Sequence, residues 1–487
     1  TGNGAGLQVG DVIKKPADTI DISSSVILDG SNEYFSRTVQ SGGSTSEWTI
    51  SFWFKDAGGI LGADTIIGNT DTVIFYFNNS NSYRLTFFMG NSSSQWVLNR
   101  IIKDDGMWHH VVLNYDSARS GSDLMRVWVD GVQDSWYSTQ VVSAHITGDG
   151  TLSLGARGDG SSPYKGYLAE IHMCDGNAYD ATEFGTFDAN GIWIPQTPSV
   201  TYGTTGFHVN FSDNTNTTTL GEDQTANGND FTYNNGEITD QVSDSPTNNF
   251  VTLDPARAPS GFIFSEGNLH GYLSNTYTPA PATLAVPSTG KWYFEYLLQG
   301  APYNNTFNGL YGVMGLIPED VIGSWVVTQA TSFFITDTGI VRNFSTTDTD
   351  SILTASGSVI GLAVDMDAHQ VAVYHNNTLV DTYDLNVAVG TTLYPMLGNY
   401  TTSYGNMILD FGQKGFAYTP PTGYLALSED NITVDDQNLE SPDLVWTKNR
   451  SASNGHQIGN SVSGIGKRTV INSTTLTKEY DDPDAFQ

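Results

Sequence analysis

Short apolar alternations separated by turn signals recur along this chain, and helical periodicity is nearly absent. In the stretch WTISFWFK, Trp48, Ile50, Phe52 and Phe54 fall on one face of a strand and the residues between them on the other. KWYFEYLL, with Trp292, repeats the pattern. Turn signals come roughly every 8 to 12 residues, the spacing expected of sandwiches. The pattern predicts an all-β protein.

The distribution of strand-like segments predicts two antiparallel β-sandwiches joined by a loop-rich connector, in a chain of 487 residues. The chain begins at Thr1, and we expect an upstream part before it. Strand-like patterning resumes late, in SPDLVWTKNRS, which predicts either the start of a further domain or a segment that pairs with something else. The predicted parts are a polar segment 1–23, a first sandwich 24–198, a connector 199–255, a second sandwich 256–428 and a C-terminal segment 429–487.

Charge narrows the range of partners. The chain has 52 acidic and 20 basic residues, a formal net charge of −32. Phosphate binding depends on Lys and Arg, so a general nucleic-acid role is excluded. Such an acidic excess suits an extracellular or saline setting, where salt screens self-repulsion. No run approaches the roughly 18 to 20 apolar residues of a membrane helix, so no membrane insertion is predicted.

The single cysteine and one pair of adjacent histidines are candidates for a chemical or metal-binding role. Cys174 is the single cysteine and lies in a strand-like stretch, which predicts a buried, inert thiol and no internal disulfide. His109 and His110 are adjacent, and consecutive strand residues point to opposite faces, so they cannot both reach one ion. We predict structural roles for both, with Asp104 and Asp105 in the turn that leads into the strand.

Two further segments with aspartates are predicted to shape turns. Asp130 and Gly131 have the composition of a tight hairpin. Asp365 and Asp367 lie two apart beside a turn, on one face of a strand, and we expect them to cap its backbone.

The first sandwich resembles the laminin-G-like, concanavalin-like jelly-roll domains, over roughly residues 24–185. The resemblance implies that the Trp-His-His strand and the Val-Asp-Gly hairpin are structural. The segments that carry it, in order, are SVILDGSNEYFS, WTISFWFK, DDGMWHHVVLNYDS, RVWVDGVQ and LSLGARGDGSSPYKGYLAEIHMCDG.

The second sandwich resembles SPRY domains. The two domains together, joined by an Asn/Asp-rich connector, resemble virion surface proteins of marine bacteriophages. The segments that carry the SPRY resemblance are KWYFEYLL, YGVMGLI, VIGLAVDMDAHQVAVYHNNTLV, LYPMLGNY and ILDFGQKGFAYTPPTGYLAL.

Some members of the laminin-G-like family bind calcium through loop oxygens. Asp29, Asn32 and Glu33 provide hard oxygen ligands close together, as Ca²⁺ prefers. A polar hairpin without an ion is the alternative interpretation. No other cofactor is predicted.

Concanavalin-like folds also include glucanases, which makes glycan hydrolysis the rival class. Retaining glycosidases need two carboxylates about 5 Å apart. In the lichenase and laminarinase family these come from a Glu-x-Asp-x-x-Glu strand, which is absent from this sequence. Glu170 and Asp175 are separated by an apolar run, and Glu295 stands alone in its strand. Gly-x-Ser-x-Gly in a strand-turn-helix setting, HExxH and Walker motifs are also missing. The sequence predicts a non-catalytic protein.

Sugar recognition usually requires an exposed aromatic platform among polar groups. Trp136 and Tyr137 follow a hairpin, Tyr164 lies in a Gly-rich loop and Tyr303 precedes two asparagines. These four are the candidate carbohydrate contacts, with core or intersubunit packing as the alternative.

We therefore expect a fibre or decoration protein on the outside of a virion. Its partners would be a host surface glycan or other virion proteins, and the phage resemblance implies a homo-oligomer, by default a trimer. A glycan hydrolase and a purely structural capsid or tail component are the alternatives.

Overall fold

The protein divides into two compact units, Thr1–Ile432 and Thr433–Gln487. The computed structural model describes most of the chain, in separate ranges. These are residues 20–39, 42–57, 63–69, 73–78, 84–89, 95–102, 106–138, 150–188, 191–273, 278–299, 312–323, 332–345, 350–352, 355–399, 407–432, 444–447, 456–460, 467–471 and 479–481.

Two facing sheets form the first sandwich, and their strand pairs are antiparallel. Sheet A has the order β10 (Val132–Asp134), β9 (Met125–Val129), β8 (His109–Asp116), β3 (Glu47–Asp56), β13 (Lys165–Asp175), β1 (Ser25–Asp29) and β18 (Gln241–Val242), with β16 (Phe207–Val209) also paired to β13. Sheet B has the order β11 (Trp136–Ser138), β7 (Gln95–Leu98), β6 (Arg84–Met89), β5 (Val73–Asn78), β4 (Ala63–Asn69), β12 (Gly150–Leu154), β2 (Tyr34–Val39) and β17 (Thr232–Asn234). A separate two-stranded sheet, sheet C, pairs β14 (Gly185–Phe187) with β15 (Trp193–Pro195).

The core between sheets A and B follows the alternation seen in the sequence. Trp48 and Phe52 on β3 reach across to β6 and β5, with ring centroids 6.0 Å from Phe87 and 5.5 Å from Phe75. Edge-to-face and tilted aromatic pairs of this kind contribute beyond their buried area. The prediction of an all-β fold is confirmed.

The opposite face of β3 is buried as well, although its residues include polar side chains. Ser51, Trp53 and Lys55 are almost fully enclosed. The segment predicted as a connector covers Lys55, whose Nζ bonds to Asp244, Asn249 and Phe250. The same segment pairs with the first sandwich, because β18 and β16 join sheet A and β17 joins sheet B. It thus completes the first sandwich as well as linking it to the second.

The second sandwich is built in the same way, and two of its pairs, β20 with β30 and β22 with β32, are parallel. Sheet D has the order β19 (Ile263–Ser265), β20 (His270–Tyr272), β30 (Leu393–Asn399), β23 (Gly312–Pro318), β24 (Phe333–Thr336), β25 (Ile340–Asn343) and β26 (Asp350–Ser351), with β21 (Ala280–Pro281) paired to β30. Sheet E has the order β29 (Thr378–Asp384), β28 (Gln370–His375), β27 (Val359–Asp365), β22 (Lys291–Leu298) and β31 (Met407–Asp410), with β32 (Leu425–Ala426) paired to β22.

Hydrogen bonds join the sheets of the second sandwich and also join the two sandwiches. The buried Tyr296 hydroxyl on sheet E lies within hydrogen-bonding distance of the carbonyls of Gly315 and Met396 on sheet D, at 3.1 and 3.0 Å. Tyr167 on β13 donates to the carbonyl of Gly267 at 2.8 Å. The sandwiches therefore contact each other directly within the first compact unit.

The second compact unit contains one antiparallel sheet of four strands. Elsewhere, short 3-10 turns at 121–124, 181–183, 219–221, 238–240, 319–321 and 429–431 interrupt the loops. In the described ranges no helix has the length and apolar character to cross a membrane. The four-stranded sheet of the second compact unit has the order β33 (Leu444–Thr447), β34 (His456–Asn460), β35 (Lys467–Ile471) and β36 (Glu479–Asp481).

The hairpin between β9 and β10 has the predicted Asp-Gly turn. Asp130 and Gly131 have φ of 50° and 72°, the left-handed pair typical of a tight two-residue turn. A Cβ at Gly131 would lie 2.0 Å from the Trp193 ring. We expect Gly131→Ala to lower the free energy of unfolding by about 2 kcal/mol, through left-handed backbone strain and overpacking.

Chemical denaturation followed by tryptophan fluorescence would measure this loss. Gly121→Ala is the matched control, because Gly121 has φ of 63° and open space around its Cβ position. This variant should lose only the free energy of unfolding that corresponds to the left-handed backbone strain. Equal losses in the two variants would contradict the role given to Trp193.

Cys174 is fully buried, and burial raises the pKa of its thiol to about 12. A thiol in this state is a poor nucleophile at neutral pH. The predicted inert role agrees with this environment.

Candidate functional site

Strand β13 has a bulge that defines the candidate site. One extra residue is inserted between Ala169 and His172 relative to β3, and Glu170 takes a left-handed φ of 46°. Bulges with a strained non-glycine residue are common where a strand redirects a side chain. Ile171 packs in the core between the sheets, and Glu170 and His172 lie together on the other side of the strand.

The neighbouring strand supplies a third polar group. His172 is paired directly with His208 of β16, and their rings stack with centroids 4.0 Å apart. Glu170 Oε2 lies 2.7 Å from His208 Nε2 and 3.4 Å from His172 Nε2. The Nδ1 atom of His172 lies 2.9 Å from the Tyr202 hydroxyl. The side chains of Glu170, His172 and His208 form what we call the His-Glu cluster.

Burial and hydrogen bonding set the charges of this cluster. Burial tends to raise the pKa of Glu170, but hydrogen bonds from the two histidines outweigh it and hold the pKa at about 2. Burial, together with His208, lowers the pKa of His172 to about 4. At neutral pH the cluster therefore offers an ionised carboxylate beside a neutral imidazole at His172.

A small recess opens beside the cluster. Glu170 and His172 line it together with Ser51, Trp53 and His110, and its cavity volume is about 10 Å³. That space suits one water molecule or ion, whereas pockets for small organic ligands measure several hundred Å³. The recess is therefore too small for a sugar ring.

The His-Glu cluster was not predicted from the sequence. Glu170 was considered only as a partner for Asp175, and His172 and His208 are 36 positions apart. The Glu-x-His spacing on β13 was an available signal, because residues two apart share a strand face. The bulge and the pairing with β16 were the missing information.

The predicted carbohydrate contacts are in different environments. Tyr137 is 67% exposed on the edge strand β11, and the Arg84 guanidinium lies 4.7 Å from its ring centroid. Trp136 is partly buried, and its Nε1 donates to the Met125 carbonyl at 2.9 Å. Tyr137 is thus the accessible member of this pair.

Tyr164 was wrongly predicted to lie on an exposed rim. It is fully buried, and its hydroxyl donates to the Lys55 carbonyl at 3.1 Å. The Gly-rich loop before it turns the ring inward, with the Tyr164 amide bonded to the Gly155 carbonyl at 2.8 Å. Tyr303 lies outside the described residues.

The predicted calcium ligands lie in the hairpin between β1 and β2. The Glu33 carboxylate accepts the Asp29 amide at 3.1 Å, and the Asp29 carboxylate accepts the Ser31 amide at 2.6 Å. Asn32 accepts a bond from Asn235 through its carbonyl. Burial, with repulsion from Asp29, raises the pKa of Glu33 to about 7. Calcium binding here stays a prediction.

The histidine pair and the turn carboxylates have structural partners. His110 Nε2 lies 2.8 Å from Ser51 Oγ, whereas His109 Nδ1 lies 3.0 Å from Asp130, so the two rings use different partners. Asp365 forms an ion pair of 2.7 Å with Lys291 and accepts the Ala368 amide at 2.9 Å, in keeping with the predicted cap. Asp367 accepts the Gly290 amide at 2.9 Å. Asp104 and Asp105 lie outside the described residues.

The carboxylates considered for glycan hydrolysis also have partners. Asp175 accepts the amides of Ser44 and Thr205, at 2.6 and 3.2 Å. Glu295 is buried and accepts the Tyr293 hydroxyl at 2.8 Å and the Ala417 amide at 2.7 Å. Each therefore serves as an acceptor for the backbone around it.

A comparison with known protein families supports the concanavalin-like fold of the first sandwich. Residues 29–182 match the family model described as the concanavalin A-like lectin/glucanases superfamily. No curated protein shows significant similarity to the sequence. The chain is thus an all-β protein whose residues 29–182 are similar to the concanavalin A-like superfamily.

Several solved structures are similar to parts of the chain. One is a candidate carbohydrate-binding protein from Bacteroides ovatus, with 17% identity, a TM-score of 0.33, and coverage of 44% of this chain and 59% of that one. The match thus spans less than two thirds of that protein. The TRIM65 PSpry domain has 12% identity and a TM-score of 0.26, covering 33% and 90% of the two chains. The SPRY domain of human HERC1 has 16% identity and a TM-score of 0.26, covering 32% and 95%.

Proposed function

We propose that this chain is a non-catalytic surface protein of a bacteriophage virion, of fibre or decoration type, that attaches to a host glycan or to neighbouring virion proteins. The concanavalin A-like match supports carbohydrate or protein binding as the class of function. The order of the laminin-G-like and SPRY-like motifs and the net charge of −32 support a virion surface, hence extracellular, location. Assembly as a homotrimer belongs to the same proposal.

The observation that carries the binding function is the position of Tyr137. At the edge of sheet B the Arg84 guanidinium lies over one face of the Tyr137 ring, and Tyr137 is 67% exposed. Arg84 is itself held, because its guanidinium donates to the Leu98 carbonyl at 3.2 Å. A fixed aromatic face beside a hydrogen-bond donor suits the apolar face and hydroxyl groups of a sugar.

The engagement of Glu170 and Asp175 supports structural rather than catalytic roles for these two carboxylates. A glycosidase acid must hold a proton near neutral pH, usually through a raised pKa. The pKa of Glu170 is instead held at about 2, and Asp175 is occupied by two backbone amides. These groups fit structural roles better than proton transfer.

A glycan array combined with a reducing-sugar release assay tests the proposal. Binding without sugar release supports attachment. Release of sugar would support a hydrolase instead, and silence in both assays would favour a purely structural component. Native mass spectrometry would show whether the intact chain is a trimer, and antibody labelling of purified phage particles would test the virion location.

Tyr137→Ala should weaken binding to any glycan found on the array by about fivefold, because an aromatic stacking contact contributes on the order of 1 kcal/mol. Isothermal titration calorimetry would measure the change. Tyr137→Phe keeps the ring and should retain most of the affinity. Leu379→Ala, at an exposed position on β29, is the control for surface truncation. Equal affinities in the wild type and Tyr137→Ala would exclude this ring as a contact.

A further inference from the structure

We propose that Glu170, His172 and His208 bind one divalent transition-metal ion, with Zn²⁺ as the best fit, and that the ion fastens β16 to β13. This inference is independent of glycan attachment. In the described ranges, these three residues form a group of at least three His, Cys, Asp or Glu side chains that could hold a metal ion. Their ligand atoms all lie within 4.8 Å of one another.

The ligand set selects the class of metal. Two imidazole nitrogens and one carboxylate oxygen suit Zn²⁺ and its neighbours, whereas Ca²⁺ and Mg²⁺ prefer oxygen ligands throughout. Two histidines and one glutamate also form a known zinc set that leaves a fourth position open. Zinc is therefore a better fit here than calcium.

Two of the three spacings between ligand atoms are close to those around such an ion, and the two stacked imidazole rings would turn so that both nitrogens face it. Zinc bonds of about 2.0 to 2.2 Å in tetrahedral geometry place ligand atoms about 3.3 to 3.5 Å apart. Glu170 Oε2 and His172 Nε2 are separated by 3.4 Å. Glu170 Oε2 and His208 Nε2, at 2.7 Å, now share a proton and would separate slightly when an ion replaces that proton.

The surroundings orient the ligands and provide room. Metal-binding histidines usually engage their second ring nitrogen in a hydrogen bond, as His172 Nδ1 does with the Tyr202 hydroxyl. This bond directs His172 Nε2 toward Glu170. The adjoining recess, with space for about one water molecule, can supply a fourth ligand.

The position of the cluster suggests what the ion would do. Glu170 and His172 belong to the first sandwich, whereas His208 lies on the segment 199–255 that completes it. With a single cysteine the chain has no internal disulfide to make this connection. An ion held only in the folded state stabilises that state according to its affinity and concentration.

Calorimetry on the untagged 487-residue chain, stripped with EDTA, tests the proposal with ZnCl₂ as the probe. We expect one Zn²⁺ per chain and a rise in melting temperature on adding zinc. Co²⁺ in place of Zn²⁺ should give the visible absorption of a tetrahedral complex. A lack of saturable binding, or a millimolar dissociation constant, would overturn the proposal.

Variants locate the site. His208→Gln and Glu170→Gln keep hydrogen-bonding groups and should weaken Zn²⁺ binding by more than 100-fold, since a ligand is lost. Tyr202→Phe touches no ligand atom of the ion directly and should cost about 10- to 100-fold. His375→Gln, in the second sandwich, is the matched control and should bind like the wild type. If zinc binding were unchanged in His208→Gln, Glu170→Gln and Tyr202→Phe, the ion would lie elsewhere and the assignment would be wrong.

Discussion

Asp244→Ala should lower the free energy of unfolding by about 3 to 5 kcal/mol, the cost of leaving a buried charge without its partner. Asp244 Oδ2 lies 2.7 Å from Lys55 Nζ, and both side chains are almost fully enclosed. Asp244 Oδ1 also accepts Trp108 Nε1 at 2.8 Å. The substitution would remove the counter-charge of Lys55 and an acceptor for Trp108 together.

The location of this ion pair adds to the expected effect. Lys55 Nζ also donates to Asn249 Oδ1 at 2.7 Å and to the Phe250 carbonyl at 2.9 Å. Lys55 is on β3, whereas its three partners belong to the segment that leads into the second sandwich. Loss of the pair should therefore loosen the connection between the sandwiches as well as the local fold.

Urea denaturation followed by tryptophan fluorescence would measure the loss. Asp123→Ala removes an exposed carboxylate 3.7 Å from Arg126 and is the control, with an expected change below about 1 kcal/mol. A Lys55→Met, Asp244→Leu double variant removes both charges and should recover much of the lost stability. Similar small losses for Asp244→Ala and Asp123→Ala would show that the buried pair does not hold the segment.

Acidification should destabilise the protein through His110. Its Nε2 lies 2.8 Å from Ser51 Oγ, and its Nδ1 accepts Trp193 Nε1 at 3.0 Å, so a neutral ring is already satisfied. Burial lowers the pKa of His110 to about 3; Asp130 opposes this shift and His172 adds to it.

The sign of the effect follows from proton uptake. The unfolded chain binds a proton at this histidine near pH 6.5, while the folded chain resists it until about pH 3. The contribution is therefore complete above pH 6.5 and is lost as the pH falls toward 3. At pH 4 the loss is on the order of 3 kcal/mol.

Comparison with His110→Gln isolates this contribution from the other acid-titrating groups. The difference in unfolding free energy between pH 7 and pH 4 should be about 3 kcal/mol smaller in the variant, measured in the presence of a chelator. Leu379→Ala, which removes no titratable group from an exposed position, should keep the wild-type pH dependence. If wild type and His110→Gln lost stability in parallel, buried His110 would not be a source of the acid sensitivity.

Features that depend on local periodicity could be predicted from the sequence. Trp48, Phe52 and their alternate neighbours lie in the core because side chains alternate along any strand. His109 and His110 have separate partners for the same reason. The Asp130–Gly131 turn was predictable because few residue pairs adopt two successive left-handed conformations.

Features that depend on coverage by a distant segment could not be predicted in this way. Lys55 occupies a position that alternation alone would leave outside the core, yet residues 244–250 fold over it. Tyr164 looked like part of an exposed Gly-rich loop, and it is buried against the Lys55 backbone. In both cases the sequence distance between the partners exceeds 100 positions.

The candidate metal centre also combines a feature that the sequence shows with features that only the tertiary structure shows. Glu170 and His172 are two residues apart, so their presence on one strand face was accessible from the sequence, but the left-handed bulge that gathers them was not. His208 joins them only because β16 pairs with β13.

By itself, the sequence determined that this is an acidic, all-β protein, where its strands and tight turns fall, and which strand faces carry apolar side chains. The tertiary structure alone decided which polar residues are buried together, because pairing between strands far apart in sequence brings side chains into contact that no local pattern connects. The Lys55–Asp244 pair and the His-Glu cluster are both products of that pairing.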